Sequence, residues 1–161
     1  MEERKHPFEP VYDSDSKILI LGTVPSVVSC QKGFYYMHPT NRFWKILSDI
    51  YQADFYHASI EEKKKLILSH HLALFDVIER CQIKRSSDQS IKDVKIQSFT
   101  TLLENSNIEK VLLNGKKAFE IWSRIYPEWK DKSICLPSTS SANATWKTED
   151  LKNQWEKALL S

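Results

Sequence analysis

Four short apolar runs constrain this chain more than any other feature. They are residues 17–22 (KILILG), 72–78 (LALFDVI), 108–114 (IEKVLLN) and 133–138 (SICLPS). Each is too short for a typical helix, and they end at Gly, Asp, Asn or Pro/Ser. Apolar residues at successive positions fit strands covered on both faces, as parallel sheets require. Between the runs the apolar period becomes helical. Residues 41–52 carry Phe43, Trp44, Leu47 and Ile50. Residues 59–70 open with Ser59 and Glu62 at capping-box spacing. Residues 98–105, 116–126 and 148–160 complete the helical set, with Pro127 ending the fourth. Strand–helix alternation of this kind predicts an α/β fold, a three-layer α/β/α sandwich around a four-stranded parallel sheet. The polar segment 82–93 is expected to be a surface loop. A length of 161 residues suits one domain over 1–161.

Composition mainly excludes. Hydrophobic residues make up 41% and charged residues 27%, which is ordinary globular usage. The 23 basic and 21 acidic residues leave a net charge of +2, so any nucleic-acid footprint must come from local clustering. Cys30, Cys81 and Cys135 are far apart and form no CxxC pair, which argues against a metal site and for free buried thiols. No cofactor is implied. No run of eighteen apolar residues and no apolar leader occurs, so no membrane span is expected, and the expected location is cytoplasmic. A monomer is the expected state.

Open α/β sheets bind ligands outside the carboxyl ends of their strands. Here those ends are Gly22-Thr23-Val24-Pro25-Ser26, Asp76, Asn114-Gly115 and Leu136-Pro137-Ser138-Thr139. Four exits of small, polar or backbone-exposing residues would converge on one crevice. Asn41 stands where a helix begins, a preferred place for a capping Asn. Asn114 precedes Gly115, a common turn pairing, yet its carboxamide offers both a donor and an acceptor. Lys116 and Lys117 open a helix, where the dipole disfavours cations. Their placement makes sense as phosphate contacts, and Lys84 and Arg85 are candidates for the same part. His38 reads as structural, and His70 and His71 fall at a helix end, a favourable place for cations. Asp76 is expected to bond loop backbone.

The stretches ILGTVPS, GFYYMHPTNRFWK, LALFDVIERC, RSSDQSI, VLLNGKKA and LPSTSSANA together resemble the uracil-DNA glycosylase superfamily, closest to its hypoxanthine-DNA (deoxyinosine) glycosylase branch. The resemblance covers residues 17–145. It implies a repair enzyme that flips a deaminated base out of double-stranded DNA and hydrolyses its bond to the sugar. Uracil, xanthine or mismatch excision, and a noncatalytic nucleic-acid-binding domain of the same fold, are the alternative expectations. Val24 stands where relatives carry Asn or Asp to handle the attacking water, and valine can do neither job of a hydrogen-bonding group. The resemblance transfers the catalytic role to Asn41. It implies a base pocket of Gly22, Thr23, Val24, Pro25, Tyr36 and Asn114, with Tyr36 (or Tyr35) stacking on the base. Ser26, Lys116, Lys117, Pro137, Ser138, Thr139, Ser140, Ser141 and Asn143 are the implied DNA contacts. No lysine among these motifs is placed as an amine nucleophile, so water is the expected attacker. The last loop lacks a large apolar wedge.

Overall fold

A computed structural model of the chain describes residues 2–84 and 90–161. The four apolar runs form β2 (Ile18–Gly22), β3 (Leu72–Asp76), β6 (Lys110–Asn114) and β7 (Ser133–Leu136), in the spatial order β3-β2-β6-β7. Every pairing in this sheet is parallel, and the register sets Gly22 beside Asp76 and Asn114 beside Leu136. The residues of β3 are all buried, as are Leu19–Gly22 and Val111–Asn114. Consecutive buried residues in a strand need a layer on each face, which is the three-layer sandwich expected from the sequence.

Handedness assigns the layers. The β2 to β3 crossover carries α1 (Val27–Lys32), α2 (Phe43–Tyr51) and α3 (Ile60–Ser69) toward one edge. The β6 to β7 crossover carries α5 (Lys116–Ile125) toward the other. Right-handed crossovers running in opposite directions place their helices on opposite faces. The short α4 (Thr100–Glu104) precedes β6, and α6 (Thr148–Leu160) returns to pack on α2. Phe43, Trp44, Ile46, Leu47 and Ile50 of α2 are buried. Trp155 of α6 meets Phe43 edge-on at 5.9 Å, and its indole N–H donates to the Pro137 carbonyl. Ser59 caps α3 by accepting the Glu62 N–H.

Three readings of the sequence need correction. The 72–78 run is not one strand: β3 ends at Asp76, and Ile78 starts β4 (Ile78–Ile83). The 82–93 segment is not simply a surface loop. Its ends belong to β4 and to β5 (Lys92–Ile96), which pair antiparallel. With β1 (Glu2–Lys5) they make a second sheet, in the order β1-β4-β5. The alternation of buried Cys81 and Ile83 with Arg80 and Gln82 marks β4 as half-buried, a weaker signal than an apolar run. Arg85 and the Ser86-Ser87-Asp88 that follow it lie outside the described residues. Finally, Cys135 is exposed, because β7 is the edge strand of the parallel sheet; Cys81 is buried. Among the described residues no helix is long and apolar enough to cross a membrane.

Trp155 joins α6, α2 and the loop after β7 in one contact. Trp155→Ala is therefore expected to lower the unfolding free energy by ~3–5 kcal/mol, read by urea denaturation.

Candidate functional site

The chain leaves β2 toward β3 on one side and leaves β6 toward β7 on the other. Neighbouring strands whose connections diverge open a crevice at their carboxyl ends. Gly22 and Asn114 end those two strands, and the loop after β7 closes over them.

Thr139 holds this crevice together. Its backbone N–H donates to Asn114 Oδ1 (3.0 Å), and its hydroxyl accepts from Asn114 Nδ2 (3.0 Å). The same hydroxyl donates to Asn41 Oδ1 (2.8 Å). Thr139 is 1% exposed and Asn114 8%, so the bonds are shielded from water. Asn41 and Asn114, 73 residues apart in sequence, thus face one hydroxyl.

Asn41 is not the cap itself: it lies one residue before Arg42, the α2 N-cap, and its side chain bonds the helix head from there. Oδ1 accepts the Phe43 N–H (2.9 Å) at the head of α2 as well as the Thr139 hydroxyl. A backbone N–H can only face the carbonyl end of the amide, so the orientation of the group is determined. Two donors saturate the oxygen. The Nδ2 amine makes no hydrogen bond among the described residues and is the end available to a ligand. Asn41 can therefore offer N–H to a developing negative charge. It is poorly placed to take a proton.

Gly22 makes the floor. A Cβ there would stand 2.5 Å from Asp76 Oδ1 and 2.9 Å from the Tyr36 hydroxyl, so only glycine allows the two to approach. Tyr36 has a positive φ of 56°, an uncommon conformation for a non-glycine residue. Its ring lies 4.1 Å from Phe43, tilted by 31°. Its hydroxyl is buried beside the Asn114 side chain, short of a well-formed hydrogen bond. Burial, reinforced by the Asp76 carboxylate, holds the phenol well above the ordinary tyrosine range, so it remains a donor. Tyr35, the other candidate for stacking, is 1% exposed and donates its hydroxyl to Glu9 O, which makes it a core residue.

Asp76 does not bond loop backbone as expected. Its Oδ2 meets His6 Nε2 at 2.8 Å, with both side chains under 5% exposed. Loop backbone is held instead by backbone: the Gly22 and Thr23 carbonyls accept the Val77 and Ile78 N–H groups. Nothing in the sequence marks His6, because its partner is 70 residues away.

Arg42 is the other residue that sequence reasoning missed. Its guanidinium donates to the carbonyls of Trp146 (2.6 Å), Asn143 (3.2 Å) and Ser140 (3.3 Å), and its backbone N–H donates to Thr139 O. It clamps the loop that carries Thr139, and its place directly after Asn41 was the available clue. Within that loop, Asn143 Nδ2 donates to Ser138 O, and Thr40 Oγ1 bonds Ser141 Oγ. Pro137 holds Trp155 through its carbonyl.

Val24 is half-buried against the core, and Pro25 is buried with its carbonyl accepting from Arg4. The Ser26 hydroxyl caps α1, accepting the Ser29 N–H and donating to Ser29 Oγ. Lys116 is exposed and Lys117 half-buried, immediately beyond Asn114 and Gly115. Lys84 is exposed at the end of β4, in the other sheet. His38 accepts from Thr40 and is exposed, a turn-holding role. Among the described residues no cluster of His, Cys, Asp or Glu could hold a metal ion.

Residues 9–160 match the profile of the uracil DNA glycosylase superfamily. A Methanosarcina barkeri protein named hypoxanthine DNA glycosylase is 31% identical over 156 residues, covering 96% of this chain and 98% of that one. A Methanosarcina acetivorans protein of the same name is 30% identical, over 94% and 96% of the two chains. The solution NMR structure of a Methanosarcina acetivorans protein, described as a candidate uracil DNA glycosylase, superposes with a TM-score of 0.85. It is 29% identical to this chain, with 98% and 97% of the two covered.

Removing the shared hydroxyl tests the network. In Thr139→Val, Asn114 Nδ2 and Asn41 Oδ1 each lose a buried partner, and stability should fall by ~1–3 kcal/mol. Thermal unfolding measures the loss. In the same variant the side-chain NH₂ resonances of Asn114 should move.

Proposed function

The chain belongs to the uracil DNA glycosylase superfamily, and from that membership we propose that it excises hypoxanthine from deoxyinosine flipped out of double-stranded DNA. The reaction of a DNA glycosylase is hydrolysis of the bond between base and deoxyribose. For deoxyinosine the C1′–N9 bond breaks and its electron pair leaves with the base. A water oxygen then bonds C1′, and the proton it releases ends on the free base.

The observation that carries this reading is the grouping of two carboxamides and a hydroxyl from the end of β6, the loop after β7 and the head of α2. Asn41, Thr139 and Asn114 stand together above a floor of Gly22, Tyr36 and Asp76. Positive charge develops on the sugar and negative charge on the base as the bond stretches. The unpartnered Asn41 amine is a donor suited to the departing base. Val24 leaves the water without a carboxylate or amide partner at that position. Stabilising the leaving group is therefore the main contribution, and water adds to a sugar already largely cationic.

The names of the two relatives favour hypoxanthine as the base. The pocket chemistry supports the same class. Deamination of adenine replaces the bare N1 acceptor with N1–H, and an acceptor-only carboxylate oxygen at the floor suits that edge. Asn114 keeps a second lone pair on Oδ1 and a second hydrogen on Nδ2 after serving Thr139, so it can still read a base. Tyr36 supplies a π-face for stacking, worth ~1–3 kcal/mol. Lys116 and Lys117 would meet phosphates flanking the flipped nucleotide. Ser26, Pro137, Ser138, Ser140, Ser141 and Asn143 complete the proposed backbone and groove contacts.

Duplexes holding one hypoxanthine, uracil or xanthine, followed by alkaline strand cleavage, test the assignment. Cleavage is expected at hypoxanthine. Salt-sensitive binding with no cleavage of any duplex would make the protein a binding domain. Asn41→Ala should lower single-turnover excision by about 10²–10³-fold, the scale of one lost transition-state donor. Circular dichroism should show the fold retained. Lys116→Ala and Lys117→Ala should each reduce the slope of log affinity against log salt by about 0.9.

A further inference from the structure

We propose that His6 is a positioning residue that keeps the Asp76 oxygen beside Gly22 and Tyr36 a permanent hydrogen-bond acceptor. This rests on the glycosylase reading and adds a means by which the site selects a base edge. His6 lies before the stretch that matches the family profile, in the segment after β1.

His6 Nδ1 lies 2.8 Å from the Phe8 carbonyl oxygen, which only accepts, so Nδ1 carries a hydrogen. Nε2 lies 2.8 Å from Asp76 Oδ2. That contact needs one proton between its two atoms, on the nitrogen or on the oxygen. Either way Oδ1 carries none. Oδ1 is the atom that leans over Gly22 beside the Tyr36 hydroxyl. The imidazole is fixed in this pose by edge contacts to Phe8 (4.8 Å) and Phe75 (5.2 Å) and by the Tyr35 ring (5.6 Å).

Other groups around Asp76 do not titrate near neutral pH. Burial pushes the Tyr35 and Tyr36 phenols and the Cys30 thiol upward. Arg4 donates to Pro25 O and pairs with Glu2. His6 is thus the group that determines where the carboxyl proton sits. A base N–H directed at the floor meets an acceptor; a bare ring nitrogen there meets a lone pair.

His6→Phe keeps the aromatic packing and removes the proton-sharing nitrogen. A buried carboxyl without a partner retains its proton to higher pH. At pH 7 that variant should lose about 10–100-fold in kcat/KM on the base that the wild-type protein releases. Activity should return as pH rises, a limb the wild-type profile lacks. His6→Gln, which can place an N–H near the position of Nε2, should keep the wild-type profile. In His6→Phe/Asp76→Asn nothing titrates there, so the limb should vanish. A His6→Phe profile parallel to wild type, with only a lowered Tm, would overturn the proposal. So would a failure of His6→Gln to restore the profile in a folded protein. If His6→Phe does not fold, nitrogen NMR of the wild-type ring decides: Nδ1 must be protonated, and a bare Nδ1 refutes the argument. A wild-type protein that releases no base would end the glycosylase reading, while the ring spectrum would still report where the proton sits.

Discussion

One hydroxyl, that of Thr139, is shared between two carboxamides, and the rest of the site depends on that sharing. It accepts from Asn114 and donates to Asn41. A hydroxyl has one hydrogen, so donating to Asn41 commits it to accept from Asn114. The chain of bonds therefore has a direction. It leaves the Asn41 amine without a partner among the described residues, with both amide oxygens bonded within the protein. Buried, satisfied networks of this kind hold their geometry, because breaking any member strands the others.

Two supports keep Thr139 in place, and both lie outside the crevice. Arg42 ties the loop after β7 through three carbonyls, so the start of α2 and the end of β7 move together. Trp155 holds Pro137 from the core side. On the opposite wall, Gly22 supplies closeness. Without a side chain it lets Asp76 and Tyr36 stand over the β2 end, and the His6 ring props Asp76 from behind. The crevice is thus shaped by absent atoms on one side and by anchored carbonyls on the other.

Much of this was legible in the sequence where the signal is local. Apolar runs and turn residues mark the parallel strands within a residue or two, because burial on both faces leaves no other pattern. The strand ends pointed to one place, and Asn41 and Asn114 both bond the Thr139 hydroxyl. The antiparallel sheet was illegible because EERK at the N-terminus has no apolar period and β4 continues almost directly from β3. Its pairing comes from partners far away in sequence. His6 and Arg42 were missed for the same reason. A buried histidine and a carbonyl clamp are defined by what they touch, and those partners lie 70 and about a hundred residues away. Asn41 shows the converse. Cap and catalytic roles looked like rivals in the sequence, yet the oxygen bonds the head of α2 and the amine makes no hydrogen bond among the described residues.

The central claim is that Asn41 and Asn114 grip one extruded base from the same crevice. The most direct measurement is the proton–nitrogen spectrum of their side-chain amides during titration with a duplex holding a non-hydrolysable deoxyinosine analogue. The account predicts that both carboxamide signals shift together, and that an undamaged duplex of the same sequence leaves them unmoved. Shifts confined to the backbone of Lys116 and Lys117, with both carboxamides unchanged, would mean that DNA binds without a base entering the site.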